Sequence, residues 1–285
     1  MKNKHRVAVL IGTKNRATEV ALLLQSLRTQ TYQDFDIFIL DDQSEIPLDR
    51  FYFIHNLYNR MRAEGHKIYT KQNQFSNGVS RMRNQMVKWA CEKAENCDLF
   101  LRCDDDTILE PDFLERLVAG IDKGYSLMSG ITPPIMQEPW KRDTNYVKPL
   151  ISKCKLTDEG VVVGDDTGYG YLQDEIIPSE HFRSMCLYKK TIHTEDDIWY
   201  AEHLTKHGFR EEEFFSYPII IAGHKIGVDV QAICWHQLTP SGGERGSDEQ
   251  VDIQQNQLLL NTFVKELQEK HGDFFKKYYD EVIKK

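Results

Sequence analysis

Three consecutive aspartates, Asp104, Asp105 and Asp106, are the residues whose type and spacing most directly suggest chemistry. They follow the apolar residues 99–101, which predict a short buried strand, and they precede Pro111, a residue favoured at the first position of a helix. Residues two apart on an extended segment point the same way, so Asp104 and Asp106 can share one cation while Asp105 points elsewhere. Because Mg²⁺ and Mn²⁺ prefer oxygen ligands, the triplet indicates either a divalent-metal site or a solvated acidic turn.

The elements that position this triplet are predicted by alternating strand and helix patterns. Apolar residues 7–11 and 35–40 predict strands that are buried on both faces, as in a parallel sheet. Between them, leucines and valine within residues 20–27 recur at helical spacing. The other predicted elements before the triplet are helices over 51–64 and 80–95 and a strand over 67–70. This alternation predicts an α/β domain with a mainly parallel central sheet flanked by helices.

Polar residues directly follow three of the predicted strands. They are residues 13–16, the pair Asp41 and Asp42, and the triplet 104–106. In parallel α/β sheets, ligands bind beyond the carboxyl ends of the strands. We therefore expect these residues to meet on one rim of the sheet and to form one site.

The second half of the chain is less regular. Residues 131–170 are rich in proline, glycine and charge and predict loops or a small extension. Residues 219–221 continue a helix or strand, and residues 225–235 predict a last strand that ends at His236. A glycine-rich loop over 239–246 and an amphipathic helix from residue 248 complete the expected elements.

The composition of the chain limits the classes of protein to which it can belong. The chain has 285 residues, 40% of them hydrophobic, which is enough for a substantial core, and its net charge of -8 argues against a nucleic-acid partner. The six cysteines form no CxxC pair, so neither a zinc site nor a disulfide framework is indicated. No apolar run is long enough to span a membrane. We expect a cytoplasmic protein that is soluble or, through the tail lysines 276, 277, 284 and 285, peripherally associated with a membrane.

Five segments, in this order, resemble the family 2 glycosyltransferases of the GT-A fold. They are VAVLIGTKNR at residues 7–16, ILDDQS at 39–44, NGVSRMRNQMVKWA at 77–90, RCDDDTILEPDFL at 102–114, and FREEEFF with AGHKIGVDVQAICWH at 209–236. The resemblance implies a Rossmann-like nucleotide-diphospho-sugar transferase domain over residues 1–240. Residues 1–130 would be the nucleotide-binding half, residues 131–240 the acceptor-side half, and residues 241–285 a flexible loop and a C-terminal helical extension.

The same resemblance implies roles in donor binding. Asp42 would accept the ring N–H of the base, usually uracil, and Asp41 would be structural. Arg83, or its neighbour Arg81, would face the diphosphate, because guanidinium matches phosphate geometry. The other implied nucleotide-sugar-binding residues are Thr13, Asn15, Arg16, Gly78, Asp104 and Asp105. The implied ligands of a Mn²⁺ or Mg²⁺ ion are Asp106, Asp104 and His236. Asp104 would contact the ion directly or through water, or it would bind the ribose instead.

Transfer with inversion, which the family performs, needs a carboxylate that takes a proton from the acceptor hydroxyl. In this family, the carboxylate lies at a usual spacing before a glycine. Counting back from Gly223 by that spacing gives Glu212, with Glu211 before it. Aspartate is common there, and the arginine often found six residues later is Pro218 in this chain. A rival acidic cluster lies at residues 195–197, and both assignments stay open at this point.

The implied reaction moves a sugar from a nucleotide-sugar, expected to be a UDP-sugar, to a glycan, a lipid-linked molecule or another hydroxyl acceptor. One alternative is a sugar nucleotidyltransferase, although residues 12–16 lack the glycine-rich phosphate loop of such enzymes. Another alternative is a non-catalytic sugar- or partner-binding module on the same fold. The intact residues Asp42, Asp104, Asp106 and His236 argue against that alternative.

Overall fold

The computed structural model describes residues 4–136, 176–182, 184–243, 249–278 and 281, and the backbone of strands at 153–156 and 162–165. Its first part consists of three βα units and a fourth strand, as the apolar patterns predict. The elements are β1 (Val7–Thr13), α1 (Ala17–Arg28), β2 (Phe35–Asp41), α2 (Tyr52–Ala63), β3 (Ile68–Gln72), α3 (Val79–Lys93) and β4 (Leu99–Asp104). The acidic triplet begins at the last residue of β4.

The second part mixes short strands with helices. Its elements are β5 (Thr107–Leu109), α4 (Phe113–Asp122), β6 (Leu127–Ile131), β7 (Lys153–Leu156), β8 (Val162–Asp165), β9 (Ile176–Ser179), β10 (Cys186–Lys189), α5 (Thr191–Thr194), α6 (Glu211–Ile221), β11 (Ile226–His236) and α7 (Glu249–Tyr278). Pro111 was expected to open a helix, but α4 begins two residues later, because residues 110–113 form a turn in which Phe113 N donates to Glu110 O at 3.0 Å. The long helix α7 is kinked at His271.

The described strands form a nine-stranded sheet and a separate β7–β8 pair. The path through the large sheet is β3-β2-β1-β4-β10-β6-β11-β5, and β9 pairs with β11. Strands β1, β2, β3, β4, β6 and β11 run in one direction, whereas β10 is inserted antiparallel between β4 and β6. The sheet is therefore mainly parallel, and the carboxyl ends of β1, β2, β4 and β11 lie on the same edge.

A hydrophobic core covers each face of the sheet. On β1, Val7, Val9 and Ile11 pack with α1, α2 and α4 on one face, while Ala8 and Leu10 pack with α3, α6 and α7 on the other. Burial on both faces explains why the strand sequence is continuously apolar. The helix α7 belongs to the second core, because Leu260 and Val264 are buried there.

No helix among the described residues is both long enough and apolar enough to cross a membrane. The tail lysines Lys276 and Lys277 lie in the last turn of α7, and residues 284 and 285 lie outside the described residues. Cys91, Cys97, Cys103, Cys186 and Cys234 are unpaired thiols.

Candidate active site

A cavity of about 300 Å³ opens at the carboxyl edge of the sheet. Its lining contains residues that follow β1, β2, β4 and β11. The polar residues after these strands therefore meet on one rim of the sheet, as expected. The lining residues are Gly12, Thr13, Lys14, Arg16, Asp42, Val79, Met82, Arg83, Asp104, Asp105, Asp106, His207, His236 and Gly243. The cavity therefore combines carboxylates with the cationic groups that a diphosphate needs.

The three aspartates have different partners in this cavity. Arg16 Nη1 lies 2.8 Å from Asp105 Oδ1 and 3.1 Å from Asp106 Oδ2, whereas Asp104 Oδ1 accepts from Arg83 Nη2 at 3.1 Å. Asp105 and Asp106 thus share Arg16 as a cationic partner, and a metal ion shared by Asp104 and Asp106 stays a prediction. Asp105 and Asp106 can contact the same arginine because β4 ends at Asp104 and the next two residues form a turn.

Burial and pairing give the carboxylates different proton affinities. Burial raises the pKa of Asp104 and of Asp105 to about 6, and the nearby arginines Arg102 and Arg16 oppose it. Burial also acts on Asp106, but the hydrogen bond and charge of His236 outweigh it and lower the pKa of Asp106. The same hydrogen bond raises the pKa of His236. Asp106 is therefore the member of the triplet that stays ionised most readily.

Asp106 and His236 have the spacing of two ligands of one ion. Asp106 Oδ1 lies 3.2 Å from His236 Nε2, and adjacent ligands around an octahedral ion with bonds of about 2.1 Å are about 3 Å apart. A ready-made group of three or more His, Cys, Asp or Glu ligands is not found among the described residues. The carboxylate of Asp106 fits Mg²⁺ or Mn²⁺, whose remaining ligands would be phosphate oxygens and water, and His236 would add a nitrogen ligand.

Arg16 is held by residues from two distant parts of the chain. Besides its two aspartates, its Nε donates to Ser241 O at 3.1 Å. Gly243 N donates to Lys14 O at 2.8 Å, so the loop after β11 lies on the turn after β1. Gly242 has φ +75°, and a Cβ there would lie 2.6 Å from Arg16 Cγ. The glycine-rich loop therefore closes one side of the cavity because glycine leaves room for the arginine.

Asn15 and Asp41 shape the turns behind the cavity. Asn15 has φ +56°, its N–H donates to Ser44 Oγ at 2.7 Å, and its Oδ1 accepts from Glu45 N at 2.8 Å. Asp41 accepts from the amides of Ser44 and Leu48. Both residues order the segment after β2, which is a positioning role, and a nucleotide contact of Asn15 stays a prediction.

Asp42 lines the cavity, but its carboxylate already has several protein donors. Oδ1 accepts from Asn73 Nδ2 at 2.7 Å, and Oδ2 accepts from Ser76 Oγ at 2.9 Å and from Asn77 N at 3.0 Å. A carboxylate offers about four acceptor sites. A base N–H would therefore compete with the loop at residues 73–77, and base recognition by Asp42 stays a prediction.

Gly78 makes room for protein backbone in this structure. It has φ +77°, and a Cβ there would lie 2.7 Å from Lys206 Cα. Val79 N donates to Lys206 O at 3.0 Å, which fixes the same contact. The absence of a side chain at Gly78 thus serves the packing of α3 against the segment before α6, whereas its predicted approach to the nucleotide is not tested.

Arg83 connects the cavity to the acidic start of α6. Its Nη1 lies 3.0 Å from Glu211 Oε1, and Arg102 Nη2 lies 2.6 Å from the same oxygen and 2.9 Å from Glu212 Oε1. The side chain of Glu211 is 3% exposed and that of Glu212 is 22% exposed. Glu212 is therefore the more accessible of the two candidate bases. Arg81, the alternative to Arg83, lines a different surface groove.

The pKa values of the two glutamates are shifted in opposite directions. Burial raises the pKa of Glu211 well above its usual value, although Arg102 opposes this shift. For Glu212, the charge and hydrogen bond of Arg102 outweigh burial and lower the pKa. An ionised, partly exposed Glu212 fits the role of a proton acceptor better than its buried neighbour.

The rival acidic cluster lies at the other edge of the sheet. Asp196 Oδ2 is 2.8 Å from His224 Nε2, and His224 Nδ1 is 2.9 Å from Ser126 Oγ. Ser126 and His224 precede β6 and β11, which run in the same direction as β4, so this cluster lies at the amino ends of the strands. Asp197 accepts from Trp199 Nε1 at 2.6 Å. This placement favours the start of α6 as the source of the base.

Several residues of the site were not identified from the sequence. They are Val79, Met82, Arg102, His207 and Gly243. Val79, Met82 and Arg83 recur at i, i+3 and i+4, so the helical period of α3 offered a signal for the first two. Arg102 stood out only as a charge within an apolar strand, and nothing local distinguished His207. Most of the residues at 137–175, which were assigned to the acceptor side, lie outside the described residues.

Several glycosyltransferases are among the solved structures with similar folds. GalNAc-T7 with UDP, GalNAc and Mn²⁺ has a TM-score of 0.63 at 15% identity, over 83% of this chain and 44% of that protein. S. aureus TarS 1–349 has a TM-score of 0.56 at 17% identity, over 81% and 60%. The mannosyltransferase PcManGT from Pyrobaculum calidifontis, with GDP-Man and Mn²⁺, has a TM-score of 0.57 at 12% identity, over 91% and 64%. This chain spans less than two thirds of the length of each of these three.

These likenesses define the class of fold, which is the GT-A fold, and the chain ends in the long helix α7. The model of glycosyl transferase family 2 matches residues 8–196, which is more than half of the chain. The chain belongs to glycosyl transferase family 2. No curated protein sequence matches this chain.

Proposed function

We propose that this protein is a metal-dependent glycosyltransferase that moves a sugar from a nucleotide-sugar to a hydroxyl acceptor with inversion at the anomeric carbon. The observation that carries the proposal is one cavity in which Asp106 and His236 lie beside Arg83 and Asp104. This arrangement offers ligands for a cation and donors for a diphosphate in the same 300 Å³ space. Membership of family 2 favours transfer of a sugar over synthesis of the nucleotide-sugar.

The proposed donor is a UDP-sugar. Among the proteins with similar folds, TarS has been solved with UDP-GlcNAc and GalNAc-T7 with UDP, whereas PcManGT was solved with GDP-Man. A GDP-sugar is therefore the second donor to test. The acceptor is proposed to be a glycan, a lipid-linked molecule or another molecule with a free hydroxyl. A peripheral contact with a membrane through the tail lysines stays a prediction.

The residues of the cavity have different proposed roles. Arg83, Arg16 and Lys14 place positive charge around the diphosphate, and guanidinium can donate two parallel hydrogen bonds to it. Asp106 and His236 would hold Mn²⁺ or Mg²⁺, and Asp104 would bind the ribose or the ion. When bound, the ion stabilises negative charge on the departing diphosphate.

Glu212 is the proposed base. It takes the proton of the acceptor hydroxyl as that oxygen bonds to the anomeric carbon from the face opposite the diphosphate. The bond from the anomeric carbon to the phosphate oxygen breaks, and its electron pair leaves with the diphosphate. Attack from the opposite face gives the proposed inversion.

Thermal unfolding with nucleotides tests this proposal. We expect UDP with Mn²⁺ to raise the melting temperature by on the order of 5 °C when the ligand is in large excess over its dissociation constant. Asp106→Ala should abolish the increase because it removes the ionised ligand beside His236. The exposed Asp49→Ala is the matched control and should retain the increase. A wild-type protein that is stabilised by neither UDP nor GDP with Mn²⁺ would contradict the proposal.

A further inference from the structure

The segment at residues 205–210 is attached to α7 at both of its ends. Asn256 is fully buried, accepts from Thr205 N at 3.0 Å and donates to Thr205 Oγ1 at 3.0 Å. The next residue, Gln257, accepts from Arg210 Nε at 2.9 Å. One turn of the C-terminal helix therefore holds the beginning and the end of this short segment.

The opposite side of the segment packs on the start of α3. Val79 N donates to Lys206 O, and Gly78 lets the Lys206 backbone approach. Gly208 has φ +71°, and a Cβ there would lie 2.7 Å from Val79 Cβ. The segment is thus fixed between α7 and the helix that carries Arg83.

His207 lies in the middle of this fixed segment and lines the donor cavity together with Arg83 and Asp104. Four residues later the chain reaches Glu211, which begins α6. An imidazole N–H can donate a hydrogen bond to a phosphate oxygen. The segment therefore connects a residue of the cavity lining to the acidic start of α6 along the chain.

We infer that His207 contacts the diphosphate of the bound nucleotide-sugar and that Asn256 of α7 is the positioning residue that holds His207 in the cavity. The inference rests on the proposed function and deepens it, because it gives the C-terminal helix a part in donor binding. Asn256 acts only through Thr205, since its own side chain is fully buried and outside the cavity lining. A purely structural Asn256 would change stability without changing the contribution of His207 to affinity.

A double-mutant cycle separates these two possibilities. The measurement is the dissociation constant of UDP and of GDP with Mn²⁺, by calorimetry, for the full chain. His207→Ala should weaken binding by up to about tenfold, as expected for the loss of one hydrogen bond. Asn256→Leu should weaken binding by a similar factor because it releases Thr205. In the His207→Ala background, Asn256→Leu should cause no further loss.

Two further variants complete the experiment. Asn256→Asp keeps an acceptor for the amide and hydroxyl of Thr205, so it should recover most of the affinity lost in Asn256→Leu. Leu258→Gln, at an exposed position on the same helix, should bind like the wild type. If Asn256→Leu does not fold, Thr205→Val takes its place, because it removes the hydroxyl that Asn256 Nδ2 contacts.

The outcomes distinguish the inference from the proposed function. A wild type that binds neither nucleotide contradicts the proposed function. If the wild type binds, equal affinity of His207→Ala and the wild type overturns the inference. Additive losses in the double variant also overturn it, because Asn256 would then act independently of His207.

Discussion

At the scale of residues, the environment of Arg102 separates two neighbouring glutamates. Arg102 is 3% exposed, and its guanidinium lies 5.3 Å from the ring centre of Phe182 and 5.9 Å from that of Tyr200. These cation–π contacts help to stabilise a charge that is removed from water. Glu211 and Glu212 both contact this arginine, but Glu211 also contacts Arg83 and is more deeply buried. Identical side chains therefore have different expected roles.

Substitution of the two glutamates by glutamine should give different results. Glu212→Gln should lower kcat by at least about 100-fold, the usual contribution of a general base, with little change in donor affinity. Glu211→Gln should lower kcat by less than about tenfold, because burial raises the pKa of Glu211 and glutamine resembles the protonated acid. Initial rates with saturating donor measure both effects. Equal losses in the two variants would remove the basis for choosing Glu212.

At the scale of elements, an aromatic cluster joins β10, α5 and α6. His193 of α5 stacks on Phe215 of α6 with ring centres 5.5 Å apart, and its Nε2 lies 3.2 Å from the hydroxyl of Tyr188 on β10. The imidazole is 3% exposed. Burial lowers the pKa of His193 to about 4. This cluster connects the strand inserted in the sheet to the helix that presents the glutamates.

The buried imidazole of His193 predicts that the free energy of unfolding decreases in mild acid. The pKa of His193 is about 4 in the folded chain and about 6.5 in an unfolded chain. The unfolded state therefore binds more protons between these values, and stability falls as the pH falls through this window. The difference corresponds to about 3 kcal/mol.

Urea unfolding at pH 7 and pH 4.5 measures this effect. His193→Gln keeps a hydrogen-bonding group for Tyr188 but does not titrate, so its loss of stability between the two pH values should be smaller. An identical loss in the variant and the wild type would show that His193 does not cause it.

At the scale of the whole molecule, α7 completes the core on one face of the sheet. Phe263 of α7 stacks on Phe214 of α6 with ring centres 4.6 Å apart, and the hydroxyl of Tyr278 donates to Ser179 O at 3.0 Å. Leu260 is fully buried in the same cluster as residues of β1 and α3. The C-terminal helix is therefore packed into the core that supports the cavity.

We predict that α7 unfolds together with the sheet. Leu260→Ala should lower the free energy of unfolding by about 3 kcal/mol, as for other buried leucines, and the transition should remain single. Circular dichroism and tryptophan fluorescence in urea provide two independent probes. Leu258→Ala, at an exposed position on α7, should have little effect. Separate transitions for the two probes would show that α7 is an independent unit.

The sequence alone determined the strands β1, β2 and β4, the helices between them and the edge at which the acids lie. Continuous apolar runs and helical spacing depend on residues close together in the chain, so they can be read without knowing the sheet order. The carboxyl ends of parallel strands then meet by necessity, which predicts that Asp42, Asp104 and residues 13–16 lie at one site.

Only the tertiary structure decided which groups pair across that site. The antiparallel insertion of β10, the contact of Arg102 with Glu212 and the attachment of Thr205 to Asn256 join residues that are far apart in sequence, by 110 positions in the second case and 51 in the third. Such pairs depend on the order of strands and on how helices pack over them. No local pattern records that order, because each segment would have the same apolar face whichever neighbour covered it.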